Sequence, residues 1–391
     1  MATDSTSPPA GRHFLQIPGP TNLPEPVALA IARSTIDHRG PEFRRLTGRL
    51  LENLQPIFQT SQPIIIYPSS GRGAWEAALV NTLSPGDTVL VCATGHFASL
   101  WCVVAEKLGL QVERLESDWR QGVAPAALEA RLAEDKGGQI KAVALVHNET
   151  STGVLNDVAA IRRALDGAGH GALLMVDVVS SLAVHDYRHD EWGVDVTIAA
   201  SQKGLMLPPG LGFCAVSEKA LAATANARLP RAFWEWQAVI KANESGSYPY
   251  TPATNLLFGL DVALDMLLAE GMANVVARHA RFGRAARAAA AAWGLETYCQ
   301  NPSAHSAALT AVAIPAGHDA DALRALILDR FNMSLGTGLG PLKGKLFRIG
   351  HLGYFNELML MGTLAGVEMG LRLAGIPHEA GGVTAAMQTI V

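Results

Sequence analysis

One lysine stands where lysine is uncommon. Lys203 lies in the turn Ser201-Gln202-Lys203-Gly204, after the apolar, β-branched run 194–200 and before a second apolar run, 211–217. Lysine is depleted in strands, and its charge is costly to bury. Burial lowers its pKa and makes the amine a nucleophile. Schiff-base chemistry is the functional reading, and a solvated turn lysine fits the segment equally well. Asp177 ends another apolar run, Leu173-Leu174-Met175-Val176. A carboxylate there is left uncompensated unless a protonated pyridine nitrogen, a metal or an arginine faces it. Capping of the following turn is the alternative. Arg348 sits in Phe347-Arg348-Ile349-Gly350 and must find an anion, either a substrate carboxylate held by two hydrogen bonds or an internal acid. Ser69-Ser70-Gly71-Arg72-Gly73 joins a short strand to a helix. Free N–H groups and the helix dipole suit a phosphate there, and Arg72 adds a positive charge, although an ordinary glycine turn has the same pattern. Phe97, just past a third strand end, is placed either to cover a flat ring or to join the core.

The elements that must position these residues follow from periodicity. Strands are predicted at 63–67, 87–92, 111–115, 140–147, 172–177, 194–200 and 211–217. Helices are predicted at 25–34, 41–58, 74–83, 96–108, 124–133 and 157–168, the last capped by Asn156 or Asp157. This alternation implies an α/β fold with a mainly parallel sheet covered on both faces. Ligands in such sheets bind outside the carboxyl ends of the strands. Ser70, Phe97, residues 147–152, Asp177 and Lys203 all fall at those ends. The proline-broken stretch 14–24 excludes a long helix or a central strand, leaving a connector or a loop laid against a site. Beyond residue 229 the pattern changes. Helices are expected at 255–268, 272–293, 319–330 and 356–373, the last closing the chain, with strands at 309–314 and 346–350. The expected division is an arm at 1–22, a large domain at 23–270 and a smaller C-terminal α/β domain at 271–391.

Composition narrows the function classes. The 391 residues are 49% hydrophobic and 17% charged, which describes a folded chain long enough for two domains. A net charge of −4 offers no footprint for nucleic acid. Cys92, Cys102, Cys214 and Cys299 show no paired spacing and read as reduced thiols, so a cytoplasmic setting is expected and a structural metal is not. The polar start of the chain lacks the pattern of a signal peptide, and no apolar run is long enough for a membrane span.

With these residues on the page, the chain resembles the class V pyridoxal-phosphate aminotransferases, and among them the serine–glyoxylate and alanine–glyoxylate group. The resemblance is carried by Ile17-Pro18-Gly19-Pro20-Thr21-Asn22, by Ser70-Gly71-Arg72-Gly73, by the run from His147 to Gly153, by Asp177-Val178-Val179-Ser180-Ser181, by Ser201-Gln202-Lys203, by the run from Tyr248 to Pro252, and by the run from Phe347 to Gly353. It spans nearly the whole chain in the family's order. It implies the type I fold of pyridoxal-phosphate transferases and pyridoxal 5'-phosphate as cofactor. It also implies amino-group transfer by a ping-pong cycle from a small amino acid, serine favoured, to glyoxylate or another small 2-oxo acid. Lys203 resembles the lysine that attaches the cofactor, and Asp177 the partner of its pyridine nitrogen. Val179 would lie against the ring and Phe97 would stack on it, where the family often has Trp. Ser70, Gly71, Arg72 and Gln202 would hold the phosphate, and Thr150 the ring's hydroxyl side. Tyr248 and Thr251 would reach the phosphate of a neighbouring subunit, making a homodimer with shared active sites. Arg348 would clamp the substrate carboxylate. The family often has a small residue or His where this chain has Arg72, which bears on the amino donor.

Alternatives follow from the same sequence. Alanine or aspartate could donate, or pyruvate accept, within one fold. A cysteine desulfurase would need a cysteine in the segment 334–340, which has none. A nucleotide-binding protein is suggested by Gly336-Thr337-Gly338-Leu339-Gly340 and Gly344-Lys345, but the hydroxyl residue after the lysine is missing. A non-catalytic protein that kept the fold would have no use for Lys203 and Asp177 together.

Overall fold

The computed structural model describes residues 11–390, and the first ten residues of the expected arm lie outside them. A seven-stranded sheet runs in the spatial order Ile64–Tyr67, Gly212–Val216, Val196–Ala200, Leu173–Asp177, Ile140–Val146, Thr88–Ala93, Gln111–Glu116. Gly212–Val216 is antiparallel to both its neighbours. The remaining pairs are parallel, as the strand–helix alternation predicts.

The continuous apolar runs arise because both sheet faces are covered. Ile64 and Ile66 enter one core and Ile65 and Tyr67 the other, as a side-chain period of two requires. The first core is closed by the helices Pro41–Phe58, Val158–Gly167 and Thr254–Glu270. The second is closed by Gly71–Thr82, His96–Lys107 and Trp236–Asn243. Asp157 caps Val158–Gly167 by accepting from the Ala160 N–H.

A second sheet has the order Phe14–Gln16, Met333–Thr337, Leu346–Gly350, Leu309–Ala313. Its core is shared with the helices Met272–Ala292, Ala320–Phe331 and Glu357–Leu373. The proline-broken start of the chain thus supplies a three-residue edge strand, parallel to Met333–Leu335.

Several expectations need correcting. Met333–Thr337 is a strand in a stretch to which the sequence reading assigned no element. Gly336 is needed there for a close approach, since a Cβ would meet Pro18 Cδ at 2.6 Å. The helix after Ser70 begins at Gly71 rather than at residue 74, because its first turn has no apolar periodicity to reveal it. Glu357–Leu373 does not close the chain. Gly382–Ile390 follows it and packs on Met272–Ala292, burying Ala386. Its small side chains gave too faint a periodic signal.

Candidate active site

Lys203 and Asp177 line one cavity of about 320 Å³ at the carboxyl ends of the large-sheet strands. Ser70, Gly71 and Arg72 form part of its wall, as do Phe97, Thr150, Val179 and Gln202. Nine of the twelve residues singled out in the sequence therefore converge.

Lys203 is 8% exposed. Its Nζ donates to the Pro18 carbonyl, and Thr21 Oγ1 donates to the Lys203 carbonyl at 3.1 Å. The early loop is laid across the lysine, and it is the loop against a site rather than a mere connector. Burial first, and the nearby Arg348 second, lower the Lys203 pKa to about 7 against the opposing pull of Asp177. The amine is therefore substantially unprotonated near neutrality, as a nucleophile requires.

Asp177 is 4% exposed. Its Oδ1 accepts from the Val179 N–H at 2.7 Å and its Oδ2 from the Trp75 indole N–H at 2.6 Å. Capping of the following turn is thus realised, but it uses one oxygen only. The Asp177 pKa is raised to about 7 in all, chiefly by burial. The Val179 and Trp75 donors pull the other way, Glu149 adds to the rise, and Lys203 opposes it. Among the described residues no cluster of three acids, histidines or cysteines offers a metal site.

In the same cavity wall, Gly71 opens the helix Gly71–Thr82, and no side chain caps that terminus. A Cβ on Gly71 would meet Val179 Cγ2 at 2.6 Å, so the backbone comes this close only without a side chain. Arg72 is exposed and forms no ion pair with any described acid. Phe97 is half-buried at the start of His96–Lys107. That terminus is held by the buried Glu149, whose carboxylate accepts from the Phe97 N–H at 3.3 Å and the Ala98 N–H at 3.2 Å.

Thr150 Oγ1 donates to Ser180 Oγ at 2.8 Å, and Asn148 Nδ2 donates to the same atom at 2.9 Å. Asn148 Oδ1 and Gln202 Oε1 are buried without partners. Such orphaned acceptors are costly unless a ligand satisfies them.

Three residues lie outside this lining. Arg348, 7% exposed, donates from Nε to the Thr337 carbonyl and from Nη1 to the Thr150 carbonyl, both at 2.7 Å. No described carboxylate lies within ion-pair distance of it, so the internal ion pair is not formed among the described residues. Burial lowers its pKa to about 10. It stands behind Thr150, close enough to Lys203 to affect that amine. Tyr248 packs against Phe43 and Tyr250 in the core, with its hydroxyl unpartnered. Thr251 lines a separate opening with Thr35 and His38.

Trp75 was not singled out from the sequence, and Asn148, Glu149 and Ser180 fell within flagged segments without a role of their own. Helical spacing contained a signal for Trp75, which lies four residues after Gly71 and therefore on the same face. The two-residue spacing of Asn148 and Thr150 contained one for Asn148.

The model of the family described as aminotransferase class-V matches residues 18–340. A serine–glyoxylate aminotransferase of Arabidopsis thaliana is 47% identical, covering 97% of this chain and 95% of that one. An L-aspartate–glyoxylate aminotransferase of Paracoccus denitrificans is 44% identical, covering 95% and 94%. The crystal structure of pyridoxamine–pyruvate aminotransferase from Mesorhizobium loti superposes with a TM-score of 0.91 at 29% identity, covering 98% of each chain.

Proposed function

The chain belongs to the class V aminotransferases, and from that premise we propose that it moves the amino group of a small amino acid, serine foremost, to glyoxylate or a similarly small 2-oxo acid. It is a pyridoxal-phosphate-dependent enzyme acting on amino acid and 2-oxo acid substrates. The cavity residues fit that cofactor. An unpaired carboxylate, a nucleophilic amine and an uncapped helix terminus share one cavity with two orphaned acceptors. These are the complements of a ring nitrogen, an aldehyde, a phosphate and hydrogen-bond donors.

On this reading Lys203 holds the cofactor covalently and Asp177 takes the ring nitrogen. Val179 and Phe97 flank the ring, and Thr150 serves its hydroxyl side. Ser70, Gly71, Arg72 and Gln202 hold the phosphate, joined by Tyr248 and Thr251 of a second copy. When bound, the cofactor supplies an electron sink for a carbanion formed beside nitrogen. Lys203 Nζ, once released, takes the proton from the substrate α-carbon and returns it during the cycle. Asp177, as the anion, would face the ring nitrogen and favour its protonated form. Arg348 binds the substrate carboxylate with the part of its fork that the two carbonyls leave free. Glyoxylate offers little beyond a carboxylate and an aldehyde, so one arginine and a small cavity suit it.

The homodimer, the division into arm, large domain and small domain at residues 22 and 270, and a cytoplasmic setting belong to the same proposal. The four free, buried cysteines support the last.

The observation that carries serine is the 47% identity, over nearly full length, to the Arabidopsis serine–glyoxylate aminotransferase. Aspartate is the second reading, favoured by the Paracoccus relative and by the unpaired Arg72 on the cavity wall. Single-turnover mixing of holoenzyme with serine, alanine and aspartate separates them. Serine should discharge the bound cofactor's absorbance fastest, and alanine or aspartate equalling it would reject serine as the preferred donor.

A further inference from the structure

Trp75 lines the cavity beside Asp177 and is bonded to it. Its indole N–H donates to Asp177 Oδ2 at 2.6 Å, and the ring is 3% exposed. The ring is fixed from behind by Trp101, stacked at 5.4 Å between centroids with 9° between planes. Trp101 is itself buried, and its own N–H has no partner. The two stacked indoles therefore differ in one respect that matters for chemistry: only Trp75 delivers a hydrogen bond to the carboxylate.

A carboxylate has about four acceptor positions. At Asp177, Val179 N–H occupies one on Oδ1 and Trp75 one on Oδ2. Two donors on opposite oxygens fix the rotation of the group and leave acceptor capacity for a third donor. We propose that Trp75 is a positioning residue, whose indole N–H fixes the Asp177 carboxylate in orientation and keeps it ionised to receive a protonated ring nitrogen. This rests on the cofactor assignment above and extends it to a cavity-lining residue that the assignment gives no role.

The electrostatics agree in sign. Burial and Glu149 both push Asp177 towards its neutral form, while Trp75, Val179 and Lys203 push it towards the anion. Removing the Trp75 donor shifts that balance towards protonation. A protonated Asp177 offers its own proton where the ring nitrogen must donate, so it no longer holds a charged ring. Loss of the donor should therefore weaken cofactor binding, and more so as the pH falls.

The test is the dissociation constant of pyridoxal 5'-phosphate, measured by reconstituting apoenzyme between about pH 5.5 and 8.5, on both sides of neutrality. Trp75→Phe keeps an aromatic ring against Trp101 and removes the N–H. The expected result is binding weaker by on the order of tenfold at neutral pH, with the acid-side loss of affinity moved to higher pH than in the unaltered enzyme. Trp101→Phe is the comparator for packing alone. It should leave the pH profile in place whatever it does to stability. In an Asp177→Asn background, Trp75→Phe should have almost no further effect on the constant. A Trp75→Phe enzyme with an unmoved pH profile, or with the same weakening at every pH, overturns the proposal. Should that variant fail to fold, benzothienylalanine at position 75, in which sulfur replaces the indole N–H, carries the same expectation and the same refutation. Failure of the unaltered protein to bind the cofactor at all would instead strike the cofactor assignment beneath it.

Discussion

Lys203 is held by a carbonyl and a buried pocket, and its reactivity follows from where it sits. Borohydride treatment of holoenzyme followed by peptide mapping should place the reduced cofactor on Lys203, and Lys203→Ala should retain no label. Arg348 is a buried cation with two carbonyl partners and no acid. Arg348→Lys would lose the planar fork, so KM for the amino donor should rise by on the order of tenfold or more, with a smaller change in kcat. An unchanged KM would remove Arg348 from substrate binding. At this scale the sequence was informative wherever a charged residue interrupted an apolar run, because burial makes such a charge conspicuous. Lys203, Asp177 and Arg348 were legible for that reason. Trp75 and Glu149 were not. An aromatic or an acid in a helix-and-loop context looks ordinary until its partner, distant in the chain, is known.

Between residue and molecule, the elements aim the side chains. Glu149 closes the first turn of His96–Lys107 with charge-assisted bonds to two N–H groups. Glu149→Gln keeps the shape and removes the charge, which should cost about 1–2 kcal/mol and lower Tm by a few degrees. It should also remove one of the groups that raise the Asp177 pKa. Gly19 is more restrictive. Its φ is +98°, and a Cβ there would lie 2.6 Å from Lys203 Nζ. Gly19→Ala should therefore displace the amine, seen as reduced cofactor occupancy in protein that remains folded by circular dichroism. Full occupancy would mean that the loop yields without disturbing the lysine. Strand–helix alternation made the large sheet readable from the sequence, since two covered faces leave long apolar runs. The second sheet was half-hidden, because Met333–Thr337 carries glycines required by the close passage of Pro18, and they mimic a loop.

For the molecule as a whole, the cavity holds an amine and a carboxylate that are both pushed by burial towards their neutral forms. With a Lys203 pKa near 7, more of the amine is free as pH rises. The rate of covalent cofactor attachment to apoenzyme should climb up to about pH 7 and then level off. A rate still climbing at pH 9 would mean an unshifted lysine, whose ordinary pKa is about 10.4. The proposed shared sites predict complementation. Lys203→Ala mixed with a Tyr248→Phe, Thr251→Val double variant, after subunit exchange, should recover up to about a quarter of full activity, because random pairing gives half mixed dimers with one intact site each. No recovery after demonstrated exchange would mean that each site is complete within one chain. The proposed contribution of a partner rests on family resemblance alone, since a residue that works across an interface leaves no trace in its own chain's periodicity.

The short edge strand Phe14–Gln16 is followed two residues later by the carbonyl that receives the Lys203 amine. From Arg12 to Pro18 an extended chain spans at most about 20 Å. Any peptide handle or reporter grafted just ahead of that strand would hang at the threshold of the reactive amine. Immobilisation and labelling should therefore be engineered through the exposed tip of the last helix, near Met387, leaving the front of the molecule unencumbered.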